Sequence, residues 1–330
     1  GWAAQAATAE YYQQQWGEIP SGVLSTTVPG VISALLAMQA DYGTMSFGQV
    51  VESALSFARD GFPAYQLLCR AIATSERTAN IQKYPDSAKV YLPGGQPPVL
   101  GSMFVQKDLG RTLSLMVQAE KQALGQGSNR ETSINAARDV FYKGDVAYRM
   151  VSALADLGGL YTYEDFAEFE SPAEEPISAT YREYEIFTNR TWTQGISLLQ
   201  ALKILEGYDL ASMGHNSPQA MHLQVEALKL AFADRERYAG DPAFVDVPVD
   251  GLVSSEYAAL RRSLIDPHKA QASYPPGDPK GMHAVLPGHR SKETAAMAGA
   301  AGGDEDGTTY LSTVDSQGNL VSVTPSSFAG

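Results

Sequence analysis

Near its end the chain reads "DGTTYLSTVDSQGNLVSVT", residues 306–324. Two short alternating runs, "TTYLSTV" (308–314) and "NLVSVT" (319–324), flank Asp315-Ser316-Gln317-Gly318, which has the composition of a tight turn. This spacing predicts a β-hairpin. Gly307 and two threonines stand at its entry. Residues 271–307 lie upstream and consist mostly of Pro, Gly, Ala and polar residues. Such a composition cannot bury enough apolar area to offset the entropy of ordering, so a flexible loop is predicted. A loop of that length within a domain calls for a functional reason.

The rest of the chain carries mainly helix signals. In "TTVPGVISALLAMQADYG" Thr26 or Thr27 can cap and Pro29 suits a first turn; Val31, Ile32, Leu35 and Leu36 form an apolar face, and Gly43 closes the end. Ser46 and Gln49 have capping-box spacing, Val50, Ala54, Phe57 and Ala58 share one face, and Gly61 terminates the run. Residues 145–159, 193–210 and 254–266 read as three more helices. The strongest signal is 217–242: Ser217 caps, Pro218 follows, and Met221, Val225, Leu228 and Phe232 recur at helical spacing. Besides the hairpin, only "EYEIFT" (183–188) reads as a strand. Many helices and few strands predict an α+β chain.

Composition narrows the functional classes. The 330 residues include 24 Lys+Arg and 37 Asp+Glu, a net charge of −13 with no basic stripe. An acidic surface repels phosphate backbones, which argues against a nucleic-acid partner. No apolar run approaches the roughly 18 residues of a membrane span. The start, "GWAAQAATAE", carries no targeting information, and a cytoplasmic setting is favoured over a periplasmic or secreted one. The single cysteine, Cys69, cannot pair internally and sits in an apolar setting, so it reads as a buried small residue.

The junction Gly307-Thr308 is suited to one kind of chemistry. A threonine hydroxyl needs a base, and the residue's own α-amino group, with an unperturbed pKa of about 8, can serve once the residue begins a chain. Such a chain must first be cut. The hydroxyl attacks the preceding carbonyl, an ester forms, and water releases the new N-terminus. Gly307 leaves that carbonyl unshielded and tolerates strain, and a following strand holds Thr308 on a rigid element. On the local pattern alone, a plain Gly-Thr strand start after a loop is the favoured reading.

Beyond that pattern, "TTYLSTVDSQGNLVSVT" resembles the start of the small subunit in the gamma-glutamyltranspeptidase family of N-terminal nucleophile hydrolases. Four further blocks agree in order: 28–62, 141–166, 176–188 and 226–248, the last reading "EALKLAFADRERYAGDPAFVDVP". The likeness spans roughly residues 20–330. It implies a four-layer αββα sandwich, incomplete in this chain and helix-rich in its large-subunit portion. It also implies one structural domain, made of a large-subunit portion (1–270), a flexible loop (271–307) ending at the processing site, and the start of the small subunit (308–330).

The family pattern implies that cleavage falls between Gly307 and Thr308, that Thr308 is the nucleophile and its α-amino group the base, and that Ser326 supplies an orienting hydroxyl. At the position of a substrate-binding family Asn this chain has Phe328, which cannot hydrogen-bond an amino acid's α-groups. "NRTWTQG" (189–195) replaces the family's Pro-Pro-Pro-Ser-Ser-Gly-Gly loop. The run "TWTQG…LLQALKILEGYDLASMGHNSP" and the "TPS" at 324–326 look more like the amidohydrolase branch that includes oxamate amidohydrolase. The implied activity is acyl transfer or hydrolysis of small amides, gamma-glutamyl compounds such as glutathione or another small acid amide. No metal or organic cofactor is implied. The implied partners are a small-molecule substrate and the large and small subunits of one precursor as a heterodimer, alone or paired. A non-catalytic, uncleaved member acting as a binding scaffold is the alternative.

The family polypeptide extends further on both sides. By that comparison the present chain lacks an arginine that grips substrate and the oxyanion-hole glycines, and is expected to be inactive alone, with an open sheet edge and exposed apolar surface. Elsewhere, His215, His222 and Glu226 lack an evident third metal ligand and read as surface or capping groups. "DEDG" (304–307) has too few ligands for calcium. Asp234, Arg235, Glu236 and Arg237 read as a solvated or ion-paired helix end.

Overall fold

Ser46 and Gln49 form the capping box their spacing predicts: the Ser46 hydroxyl accepts from the Gln49 N–H and the Gln49 side chain accepts from the Ser46 N–H. They open the helix Phe47–Asp60, which ends at Gly61 with φ +88°, a conformation that favours glycine. The structure is a computed structural model and describes residues 1–283, 285 and 309–325. These fall into two compact units, residues 1–172 with 309–325, and residues 173–283 with 285.

In the first unit, four helices share a core: Val31–Tyr42, Phe47–Asp60, Lys107–Gly125 and Arg130–Tyr142. Leu36, Ala40, Phe47, Ala58, Leu113, Met116, Ile134 and Ala137 are buried together there. Each large apolar side chain among them contributes about 1.5–3 kcal/mol through burial. Two sequence expectations fail at this core. Val31–Tyr42 is capped by Gly30, leaving Pro29, Thr26 and Thr27 outside the helix. The reason is tertiary. The Tyr142 hydroxyl donates to the Pro29 carbonyl (2.5 Å), the Tyr161 hydroxyl donates to that of Thr26, and the Val28 N–H donates to Trp2 O (2.8 Å). Burial pushes the Tyr142 hydroxyl up to about 12, so it remains a donor at neutral pH.

The second failure concerns the face of Phe47–Asp60. The buried edge is Phe47, Val51, Leu55 and Ala58, whereas Val50 and Phe57 face solvent. Lys107–Gly125 was not signalled by a cap, yet it supplies Glu120, whose carboxylate accepts the Phe47 and Gly48 N–H groups (2.5 and 2.8 Å). That contact places a negative charge on a helix N-terminus and fixes which face turns inward. A second cluster in this unit gathers Val28, Tyr142, Ala147, Tyr161, Phe166 and Phe169. Cys69 is half-buried rather than enclosed.

The second unit is built on the helices Gly195–Leu205, Pro218–Tyr238 and Ser255–Arg262 beside an antiparallel pair, Ile177–Tyr181 with Tyr184–Thr188. Only the second of those strands carried a sequence signal. Arg182, at φ +56°, makes the turn between them and donates its N–H to Glu206. Trp192 lies exposed and donates its indole N–H to Glu174 (2.7 Å). Ser217 and Pro218 begin Pro218–Tyr238 as expected. The inward face does not match the expectation. Met221, Val225, Leu228 and Phe232 are 41–52% exposed. Ala220, Leu223, Ala227, Leu230 and Ala231 are buried instead, with Glu226 and Asp234. An alanine-lined face lets neighbouring helices approach closely, so the smaller stripe is covered and the bulkier one left outside.

The described strands form three separate two-stranded antiparallel sheets. Phe62 pairs with Phe104 in the first, Ile177 with Thr188 in the second, and Leu311 with Val323 in the third.

Candidate active site

The hairpin read from the sequence is present. Leu311–Val314 pairs with Leu320–Val323, with Ser312 opposite Ser322 and Val314 opposite Leu320. Asp315 organises the turn: its carboxylate accepts the Gln317 and Asn319 N–H groups (2.8 and 2.9 Å) and the Asn319 side-chain amide (2.7 Å). These bonds, led by the Asn319 amide, hold the Asp315 carboxyl below the usual carboxylate range. Gly318 takes φ +85°, which the turn requires. Past the last ladder pair, the Thr309 N–H donates to the Pro325 carbonyl (3.1 Å). Thr309 and Pro325 therefore continue the hairpin's register beyond Leu311–Val323. Of the candidate site residues, Gly307, Thr308, Ser326 and Phe328 lie outside the described residues, as does "DEDG".

Residues 271–283 form no helix or strand, in keeping with their composition, but they are pinned. The Gly277 N–H donates to Asp234 (2.7 Å) and the Tyr238 hydroxyl donates to the Gly277 carbonyl (2.7 Å). Arg261 donates to the carbonyls of Pro275 (3.0 Å) and Leu230 (3.3 Å). Tyr274 donates its hydroxyl to Glu226 (2.5 Å), and Lys229 donates to the Gln271 carbonyl.

Asp234 and Arg261 are the centre of this clamp and the main residues that sequence reasoning misplaced. Both are 0% exposed and pair at 3.1 Å. Asp234 also accepts from Gln200 and from the Tyr257 hydroxyl (3.0 Å). Burial raises the Asp234 pKa, opposed by the Arg261 charge and by these donors. The solvated helix end expected at 234–237 thus holds only in part, since Arg235 and Glu236 do pair near the surface. One signal could have found Asp234: it continues the helical spacing of Ala220, Leu223, Ala227, Leu230 and Ala231 on the inward face.

His222 and Glu226 are engaged by different partners. The His222 ring nitrogen lies 2.7 Å from the Asp266 carbonyl. Burial would raise Glu226, but bonds from Lys229, Tyr274 and the Gln271 N–H outweigh it and hold the carboxyl below its ordinary value. Among the described residues, no group of three or more His, Cys, Asp or Glu side chains is placed to hold a metal ion.

The helix-rich chain with few strands agrees with comparison to known proteins. The family model for gamma-glutamyltranspeptidase matches residues 1–328. An acylase ACY 1 proenzyme of Pseudomonas sp. (strain SE83) is 32% identical over 96% of this chain and 52% of its own length. The glutathione hydrolase proenzyme of Escherichia coli (strain K12) is 31% identical over 91% of this chain and 46% of its own. The chain therefore spans about half the length of the curated relatives it matches. The crystal structure of Helicobacter pylori gamma-glutamyltranspeptidase superposes with a TM-score of 0.72 at 28% identity, covering 82% of this chain and 74% of that one. The fold is accordingly α+β and of the N-terminal-nucleophile-hydrolase type. From its residues, its fold and these matches, the chain belongs to the gamma-glutamyltranspeptidase family.

Proposed function

We propose that this chain is the core of a proenzyme that cuts itself between Gly307 and Thr308 and then acts as an N-terminal-threonine amidase. In the first step the Thr308 hydroxyl attacks the Gly307 carbonyl, the peptide bond gives way to an ester, and water hydrolyses it. Residues 1–270 and the 271–307 loop then end the large subunit, and Thr308 begins the small one. In turnover the freed α-amino group takes the hydroxyl proton, the oxygen attacks the substrate carbonyl, and the amine leaves with that proton. Water or an acceptor amine resolves the acyl-enzyme.

The observation that carries this reading is the hairpin register. Thr309 bonds Pro325 in step with Leu311–Val323, on strands tied by the Asp315 turn. The proposal requires the next pair of that register, 308 with 326, to bring the nucleophile beside the hydroxyl that orients it. The names of the relatives, which include both glutathione hydrolase and acylase proenzymes, support an amide substrate bearing a small acyl group. We assign gamma-glutamyl compounds such as glutathione as its first candidates. Phe328, where the family pattern has an Asn, favours a simpler acid amide of the oxamate type as the second reading.

The test uses the full-length gene product. Denaturing electrophoresis should give two bands, the smaller beginning with Thr308 on N-terminal sequencing, and Thr308→Ala should leave one band and no turnover. Release of aniline from a gamma-glutamyl anilide, set against release of ammonia from oxamate, separates the two substrates. An intact junction in a protein that still consumes substrate would sink the proposal.

A further inference from the structure

In the second unit, residues 240–247 form a loop folded around Asp241. The Asp241 carbonyl accepts the Phe244 and Val245 N–H groups (2.9 and 3.0 Å), and its carboxylate accepts the Ala243 N–H (2.9 Å). The Thr191 hydroxyl, nearly buried, ties the loop down by donating to the Gly240 carbonyl (2.8 Å). Between this loop and residues 177–191 lies a cavity of about 480 Å³. That volume is within the range of small-molecule sites. Its walls include Ile177, Val247 and Val249, which pack against the buried Ile196, Leu252 and Tyr257. Phe244 also lines it and is 86% exposed, an aromatic ring with most of its surface uncovered.

Two charged residues line the cavity, Asp246 and Arg190. Asp246 stands mostly in solvent and pairs with Lys280 at 2.5 Å. Arg190 is half-buried, and its guanidinium has no ion-pair or hydrogen-bond partner among the described residues. The cavity therefore sets a few apolar side chains, within a lining that is mostly polar, beside one guanidinium fork without a partner among the described residues, a group whose geometry matches a carboxylate. We propose that it binds a small monocarboxylate carrying an apolar chain or aryl group, with the carboxylate on Arg190 and the tail against Val247, Val249 and Phe244. The site uses none of the residues assigned to amide cleavage, and it stands or falls independently of that function.

The test is calorimetric titration of the full-length protein with 4-phenylbutyrate and with its neutral isostere, 4-phenylbutyramide. The acid should bind about tenfold or more tightly than the amide, since a charge-assisted pair contributes at least one tenfold step. Arg190→Gln should bring the acid down to the amide's affinity. Phe244→Ala, at an exposed position that leaves the fold undisturbed, should weaken both several-fold. Equal affinities for acid and amide, or no binding of either at millimolar concentration, would overturn the proposal. So would undiminished acid binding by Arg190→Gln, because a carboxylate held anywhere else, the amidase site included, does not feel that change.

Discussion

Residues 1–172 and residues 173–283 bury charge in different ways. In the first unit, buried carboxylates rest on backbone amides. Glu120 accepts two N–H groups at a helix start, and Asp165 accepts the N–H groups of Gln5 (2.9 Å) and Thr162 (2.8 Å). In the second unit, they are matched by side chains of opposite charge: Asp234 by Arg261 and Glu226 by Lys229. Short of proline, no substitution removes a backbone donor, whereas a side-chain partner is lost with its residue. The first arrangement therefore tolerates sequence change around it, and the second makes each partner indispensable to the other.

The contrast can be tested most sharply at Arg261. Arg261→Met leaves Asp234 enclosed without its countercharge and should cost about 3–5 kcal/mol in urea unfolding of the full-length protein. Replacing both partners, Asp234→Leu with Arg261→Met, should recover most of that loss. At Glu120 the expected effect is smaller. Glu120→Gln removes the charge but keeps an acceptor over the Phe47 helix start, for a loss of about 1–3 kcal/mol by the same measurement. If Glu120→Gln proved as damaging as Arg261→Met, the distinction between the two units would collapse.

The subtlest effect is on pH dependence and involves Glu226. Its folded-state pKa lies below the ordinary glutamate value, so its contribution is present above that ordinary value and is lost as pH falls through the folded pKa. Melting curves taken from neutral pH down to about pH 3 should therefore fall less steeply for Glu226→Gln than for the native protein. Parallel curves would mean that the bonds from Lys229 and Tyr274 do not act on Glu226 in the folded protein.

Local chemistry was readable where residues close in sequence act on one another. The capping box of Ser46 and Gln49, the Ser217-Pro218 start and the turn before Gly318 all emerge from neighbours. Helix faces were not readable, because both Phe47–Asp60 and Pro218–Tyr238 have two plausible stripes. The choice between them was made by distant groups, Glu120 in one case and the alanine-lined approach of neighbouring helices in the other. Pro29 shows the same limit: it would suit a helix start, but Tyr142, more than a hundred positions away, holds its carbonyl. Near the candidate site the hairpin could be read from local pattern. The clamp on Tyr274, Pro275 and Gly277 could not, since it is assembled from two helices that converge only in the folded chain.

The placement of the indoles has a practical consequence. Trp2 and Trp16 belong to the first unit and Trp192 to the second, and all three stand about half in solvent. Their emission should be red-shifted even in the native protein, so intensity rather than wavelength will register unfolding. Trp2→Phe and Trp16→Phe would leave Trp192, in residues 173–283, as the only tryptophan within these 330 residues. Loosening of the Glu174 contact to Trp192 could then be followed optically while the other half of the molecule stays dark.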